Sequence, residues 1–90
     1  MATAALPSQL TLATAAQSRD TLIRALAQSP EEAVRLDAGA LAQFDSSAIA
    51  VLLDLRRELQ SQGKRLVVEN WPDRLKALVG LYGVGELLHD

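Results

Sequence analysis

The chain contains no cysteine, a single histidine, and one residue each of phenylalanine, tryptophan and tyrosine. Without cysteine there is neither a disulfide framework nor a thiol nucleophile, a composition compatible with a reducing compartment. The histidine, His89, has no second imidazole or thiol to share a metal with and cannot complete a Ser-His-Asp set. Zinc chemistry and Cys–His or Ser-His catalysis are therefore excluded, and the reading is of a protein with no catalytic residues, no metal and no cofactor. Aromatic side chains make up 3% of the chain, so its core has to be built from Leu, Val, Ile and Ala. A basic face is missing too: the net charge is −2 with the signs interspersed, which does not suit a line of phosphates and argues against nucleic acid as a partner. No apolar run nears the ~20 residues of a membrane span. The N-terminal "MATAALPSQLTLATAAQ" has no positively charged leader and is interrupted by Pro7, Ser8 and Gln9, unlike a signal core. These absences predict a soluble, cytoplasmic protein with no direct membrane insertion.

What is present is a folding composition. Ninety residues, 49% hydrophobic and 22% charged, make one domain over residues 1–90. "QLTLATA" alternates Leu10 and Leu12 with threonines, the period of a half-buried strand, and "TAAL" before Pro7 is expected to pair with it. From Ser18, a candidate N-cap, the period changes: Leu22, Ile23 and Leu26 share one helical face until Ser29-Pro30. "EAVRLDAG" reads as a strand ending at Asp37. Ala48 to Gln62 is the best helix, with Ala48, Val51, Leu52, Leu55 and Leu59 in one stripe, Ile49 and Leu53 widening it, and Gly63 stopping it. "LVVEN", Leu66–Asn70, has the consecutive apolar residues of a strand covered on both faces. Pro72 suits the first position of a last helix running to about Leu81, with Leu75, Leu78, Val79 and Tyr82 inward. A final turn packed by Val84, Leu87 and Leu88 follows. Strand Val34–Asp37, helix Ala48–Gln62 and strand Leu66–Asn70 form a βαβ unit with parallel strands. The expected class is thus α/β, a small mixed sheet with helices packed mainly on one face.

Few residues carry chemistry. Gly80, Gly83 and Gly85 match neither a dinucleotide fingerprint nor a Walker loop, and read as a helix stop and turn. Glu31-Glu32 read as solvated, and Trp71 and Tyr82 as packing residues. What remains is "FDSSA", residues 44–48. Asp45 or Ser46 suits the N-cap of the long helix, and a carboxylate there also suits the helix dipole. Capping needs one of these residues, and Asp45, Ser46 and Ser47 supply three. Together they form a small polar site at a helix N-terminus beyond the carboxyl end of a strand, where open α/β sheets place function. The residues leave both readings open, cap or presented hydroxyl.

The stretch "LDAGALAQFDSSAIAVLLDLRRELQSQGKRLVVENWPDRLKALVGLYGVGELL" resembles the STAS domain family. It shares with that family a strand carrying Asp37, a loop ending Asp45-Ser46-Ser47, a helix of small and aliphatic residues, Gly63, the "LVVEN" strand and a helix ending "LYGV". In the anti-sigma factor antagonists of the family, the serine directly after the aspartate is phosphorylated by a partner kinase, a role that the resemblance places on Ser46. The sequence departs from them at Ala48, where glycine is common. Its short length and "LYGV" ending resemble most the MlaB-type members, non-catalytic cytoplasmic subunits of phospholipid ABC transporters of the Mla kind in Gram-negative bacteria. The resemblance implies binding to an MlaF-like ATPase subunit in a transporter complex peripheral to the inner membrane, or alternatively to an anti-sigma factor kinase. The partner-binding residues it implies are Asp45, Ser46, Ser47 and Ile49.

Overall fold

The structure is a computed structural model and describes residues 2–83. Its elements are β1 (Ala2–Ala5), β2 (Gln9–Leu10), α1 (Ala15–Ala27), β3 (Ala33–Asp37), β4 (Gln43–Phe44), α2 (Ser47–Ser61), β5 (Arg65–Glu69) and α3 (Asp73–Tyr82). The final turn expected over Val84, Leu87 and Leu88 lies outside the described residues, as does His89.

The long helix forms where its stripe requires. Ala48, Val51, Leu52, Leu55 and Leu59 are buried as an i, i+3, i+4, i+7, i+11 set that faces the core, and Ile49 is buried on its flank. Its end is set by Gly63, whose φ of 75° is the left-handed conformation that costs glycine least. There the N–H of Lys64 reaches the carbonyl of Leu59 at 2.8 Å and that of Gly63 reaches Gln60 at 3.0 Å. This pair of bonds is a Schellman motif, which satisfies carbonyls that the helix leaves open. Lys64 then closes the turn ahead of β3, its ammonium donating to the carbonyls of Ser29 and Glu31.

The main sheet has the order β1-β3-β5 with both pairings parallel, and the βαβ unit is formed as the sequence predicts. Val34, Leu36 and Val68 point into the core, where Leu26 and Leu59 close over Val34 and the rest of α2 closes over Leu36. The opposite face, with Thr3, Ala5, Arg35 and Arg65 exposed, carries no helix among the described residues. Helices on one face are thus as expected. Val67, however, pairs with Arg35 on the open face and is half-buried, so β5 is not covered on both sides.

Two expectations near the N-terminus are corrected. The sheet is not mixed: every pairing among the described strands is parallel, because β1 joins the edge of β3 and does not fold back on the next segment. "QLTLATA" is also not one strand. Only Gln9 and Leu10 pair, with Gln43 and Phe44 of β4; the chain then turns at Thr11–Thr14, where the Thr14 hydroxyl accepts the Thr11 N–H at 3.1 Å and donates back to its carbonyl at 3.3 Å. This local turn competes with the strand and starts α1 at Ala15, ahead of Ser18. Leu10 is consequently buried while Leu12, which alternation puts beside it, is 79% exposed.

The short β2–β4 ladder matters for position. It holds the segments leading into α1 and α2 side by side, helped by the Ser8 carbonyl, which accepts the N–H groups of both Ala42 and Gln43. At the other end of the chain, α3 buries Leu75 and Val79, with Leu78 partly covered. Tyr82, expected inward, is 52% exposed: the last turn of α3 has run off the core.

Truncating the centre of the α2 stripe tests this packing. Leu52→Ala removes a side chain with no exposed surface and should destabilise by about 2–5 kcal/mol in chemical denaturation. Leu12→Ala should change stability by no more than about 0.5 kcal/mol. Similar values for both would mean the helix face is misassigned.

Candidate functional site

Because the strands of the main sheet are parallel, β1, β3 and β5 all end on one side, and the loops into α2 and α3 emerge there. Two aspartates organise that edge. Asp37, the last residue of β3, takes the N–H of Gly39 at 2.8 Å and the side-chain amide of Asn70 at 3.1 Å, both on Oδ1. It joins the loop after β3 to the loop that leads into α3. Gly39 sits tightly, since a Cβ there would stand 3.0 Å from Asp37 Oδ1 and 3.4 Å from Asn70 Cβ and the carboxylate would have to give way. Asn70 adopts a φ of 58°, a conformation asparagine tolerates better than most residues.

Asp45 does the same work for the other two helices. Its Oδ1 accepts the N–H of Ser47 at 2.8 Å, and its Oδ2 accepts the N–H of Leu12 at 3.1 Å from the turn that precedes α1. One carboxylate therefore caps α2 and anchors the start of α1 beside it. The Gly39 N–H, then the Asn70 amide, hold the Asp37 carboxyl below its ordinary pKa. The Ser47 and Leu12 N–H groups do so for Asp45, with a smaller contribution from the Ser47 hydroxyl.

Ser46 has no part in the cap. It occupies the N-cap position with φ −62° and ψ −16°, its side chain makes no capping bond, and it is exposed. Ser47 is half-buried, next to Asp45. Ile49, implied as a partner contact, is corrected: at 3% exposure it belongs to the core, since its helical position falls on the flank of the buried stripe. The structure thus brings Asp45, Ser46 and Ser47 to one exposed junction and withdraws Ile49 from it.

Two surfaces flank this junction. On one side, Leu12, Ala15, Ala16, Ser47 and Ala50 line a shallow cleft between α1 and α2, closed at its far end by an Arg19–Asp54 ion pair at 3.3 Å. On the other, Phe44, Ser46, Arg74, Ala77, Leu78 and Leu81 line a groove of about 380 Å³ against α3. The Arg74 guanidinium stands 5.3 Å above the centre of the Phe44 ring. Leu12 and Leu81, at 79% and 80% exposure, are the most exposed large apolar side chains described, and Ser46 lines the surface of Leu81 while its neighbour Ser47 lines that of Leu12. Of these groove residues the sequence reading singled out Ser46, but not Phe44, Arg74, Ala77, Leu78 or Leu81. The signal available was the second helical line of α3, Arg74, Ala77, Leu78 and Leu81, beside the inward line of Leu75 and Val79. Trp71 is half-buried against the core, its indole N–H donating to the Val68 carbonyl at 3.1 Å.

No group of three or more His, Asp or Glu side chains able to hold a metal is found among the described residues. Nor is any helix among them long and apolar enough to cross a membrane.

The family description "Mlab, STAS domain" matches residues 3–89. The chain belongs to the STAS domain family. Solved STAS structures are superposable on it. The STAS domain of a SulP transporter from Vibrio cholerae aligns with a TM-score of 0.73 at 18% identity, covering 97% of this chain and 66% of that one. The anti-sigma factor antagonist SpoIIAA, in its unphosphorylated form, aligns with a TM-score of 0.75 at 22% identity, covering 99% and 79%. At these identities the likeness is one of fold. No curated protein matches the chain significantly.

The two carboxylates make acid stability a direct test of the site. A carboxyl whose folded-state pKa is lowered contributes stability that is complete above its unfolded value, about 4, and is lost as pH falls through the lowered folded value. Asp45→Asn should melt lower than the wild type at neutral pH and lose less on acidification from about pH 5 to 3. Ser46→Ala should leave the melting temperature unchanged at both ends. An Asp45→Asn acid profile parallel to the wild type would remove Asp45 from the cap.

Proposed function

We propose that this STAS domain is the non-catalytic cytoplasmic subunit of an ABC-type phospholipid transport system of the Mla kind. It binds and supports an MlaF-like ATPase subunit, peripheral to the inner membrane, and so serves outer-membrane lipid asymmetry. The observation that carries the reading is the match of the "Mlab, STAS domain" description to nearly the whole chain, residues 3–89. The geometry supports a binding role: the junction at the start of α2 is exposed, capped by Asp45, and flanked by the exposed Leu12 and Leu81.

A second reading, an anti-sigma factor antagonist switched by phosphorylation, is favoured by the position of Ser46. Its hydroxyl follows Asp45, is exposed and is not used in the cap. A phosphate there would add about −1.5 to −2 charge, which a helix N-terminus accepts. Inhibition would then come from repulsion or steric conflict with the partner and leave the fold intact.

Capture of the tagged chain from its native cell separates the two. An ABC ATPase with its permease in stoichiometric amount supports the transporter subunit, and a GHKL-type kinase supports the antagonist. Recovery of neither rejects both. With the captured partner, Ser46→Asp should weaken binding while shifting the melting temperature little. Unchanged affinity with a large loss of stability would make Ser46 part of the cap and nothing more.

A further inference from the structure

The geometry points to Arg74 as an anion-reading arm of the groove beside Ser46, one that takes a carboxylate from an amphipathic helix of the partner. This deepens the reading of the α2 junction as a binding surface and rests on it.

Helix α3 is apolar on two lines. Leu75 and Val79 face the core, whereas Arg74, Ala77, Leu78 and Leu81 follow the i, i+3, i+4, i+7 spacing along the wall of the groove. An ordinary surface helix keeps polar residues outside its buried stripe. Here Leu81 is 80% exposed and Leu78 half-buried, and the line has the ridge spacing that seats a second helix.

Charge selects the occupant. Among the described residues, only Asp45 and Arg74 bring charge to the groove lining. Asp45 is committed, with one oxygen on the Ser47 N–H and the other on the Leu12 N–H, which lies on the far side of α2. Arg74 is uncommitted: among the described residues its one contact is with the face of Phe44, and it makes no ion pair. A guanidinium lying over a ring keeps its N–H edges free, and those edges match a carboxylate in a fork of two bonds. An apolar wall ending in such a cation is complementary to a helix that carries an aliphatic side chain and, a turn away, an Asp or Glu.

The experiment is a binding series with the ATPase subunit captured with the chain. Arg74→Gln should weaken binding about tenfold or more, the level of an interface anchor, and Arg74→Lys should recover only part because a point charge lacks the fork. Lys76→Glu, exposed on the same helix but outside the groove, should bind as the wild type does. One Asp or Glu of the partner, changed to Arg, should restore binding to Arg74→Glu. Wild-type affinity in Arg74→Gln overturns the proposal and leaves the transporter reading standing. A self-associated wild-type chain that Arg74→Glu dissociates, with partner affinity unchanged, also overturns it, assigning the groove to a second copy. If the captured partner is a kinase, the transporter reading fails and the same series with the kinase still decides Arg74. If no protein binds, both fall.

Discussion

Helix α2 buries Ala48, Ile49, Val51, Leu52, Leu55 and Leu59 between the sheet and α1, and that contact places every other feature of the domain. Full burial of an aliphatic side chain is worth about 1.5–3 kcal/mol, whereas an exposed ion pair such as Arg19–Asp54 contributes about 0–1. The orientation of α2 is therefore decided by its stripe and only trimmed by its charges. With α2 fixed on parallel strands, its N-terminus has to emerge at the carboxyl edge of the sheet. What the core leaves exposed there is the turn at Asp45 and Ser46, just ahead of the helix.

At that turn the work is divided between neighbours. Asp45 holds the helix start and the preceding turn of α1 with two N–H bonds, and Asp37 joins the loop after β3 to the loop into α3 with two more. The hydroxyl between the helices is then free of structural duty. A rigid rim around an uncommitted polar group is what a recognition surface requires, because little has to be ordered when a partner arrives. The residues on either side, Leu12 and Leu81, are exposed and lie outside the core of the described residues.

Much of this was legible in the sequence. The α2 stripe, the stop at Gly63 and the parallel βαβ unit follow from periodicity and glycine chemistry, and the Asp-Ser-Ser junction was found by eliminating every other chemistry. What escaped was set by contacts distant in sequence or by competing local turns. The segment "ATAA" has no alternation to reveal that it pairs with β3. The alternation of Leu10 and Leu12 suggested a strand that the Thr11–Thr14 turn interrupts. Ile49 sits one position from the stripe, and sequence spacing alone could not say whether that flank meets the core or a partner; packing decides for the core. The bond from Leu12 to Asp45 spans 33 positions, and no local pattern announces it.

In the proposed binding role the domain meets its partner with the start of α2 and the groove wall of α3, and leaves the open face of the sheet in water. Amide hydrogen exchange of the chain, alone and with the ATPase subunit, tests it most directly. Slowed exchange confined to residues 44–50 and 74–81 is the predicted result. Slowed exchange along β1, β3 and β5, with the α2 junction unchanged, would contradict it.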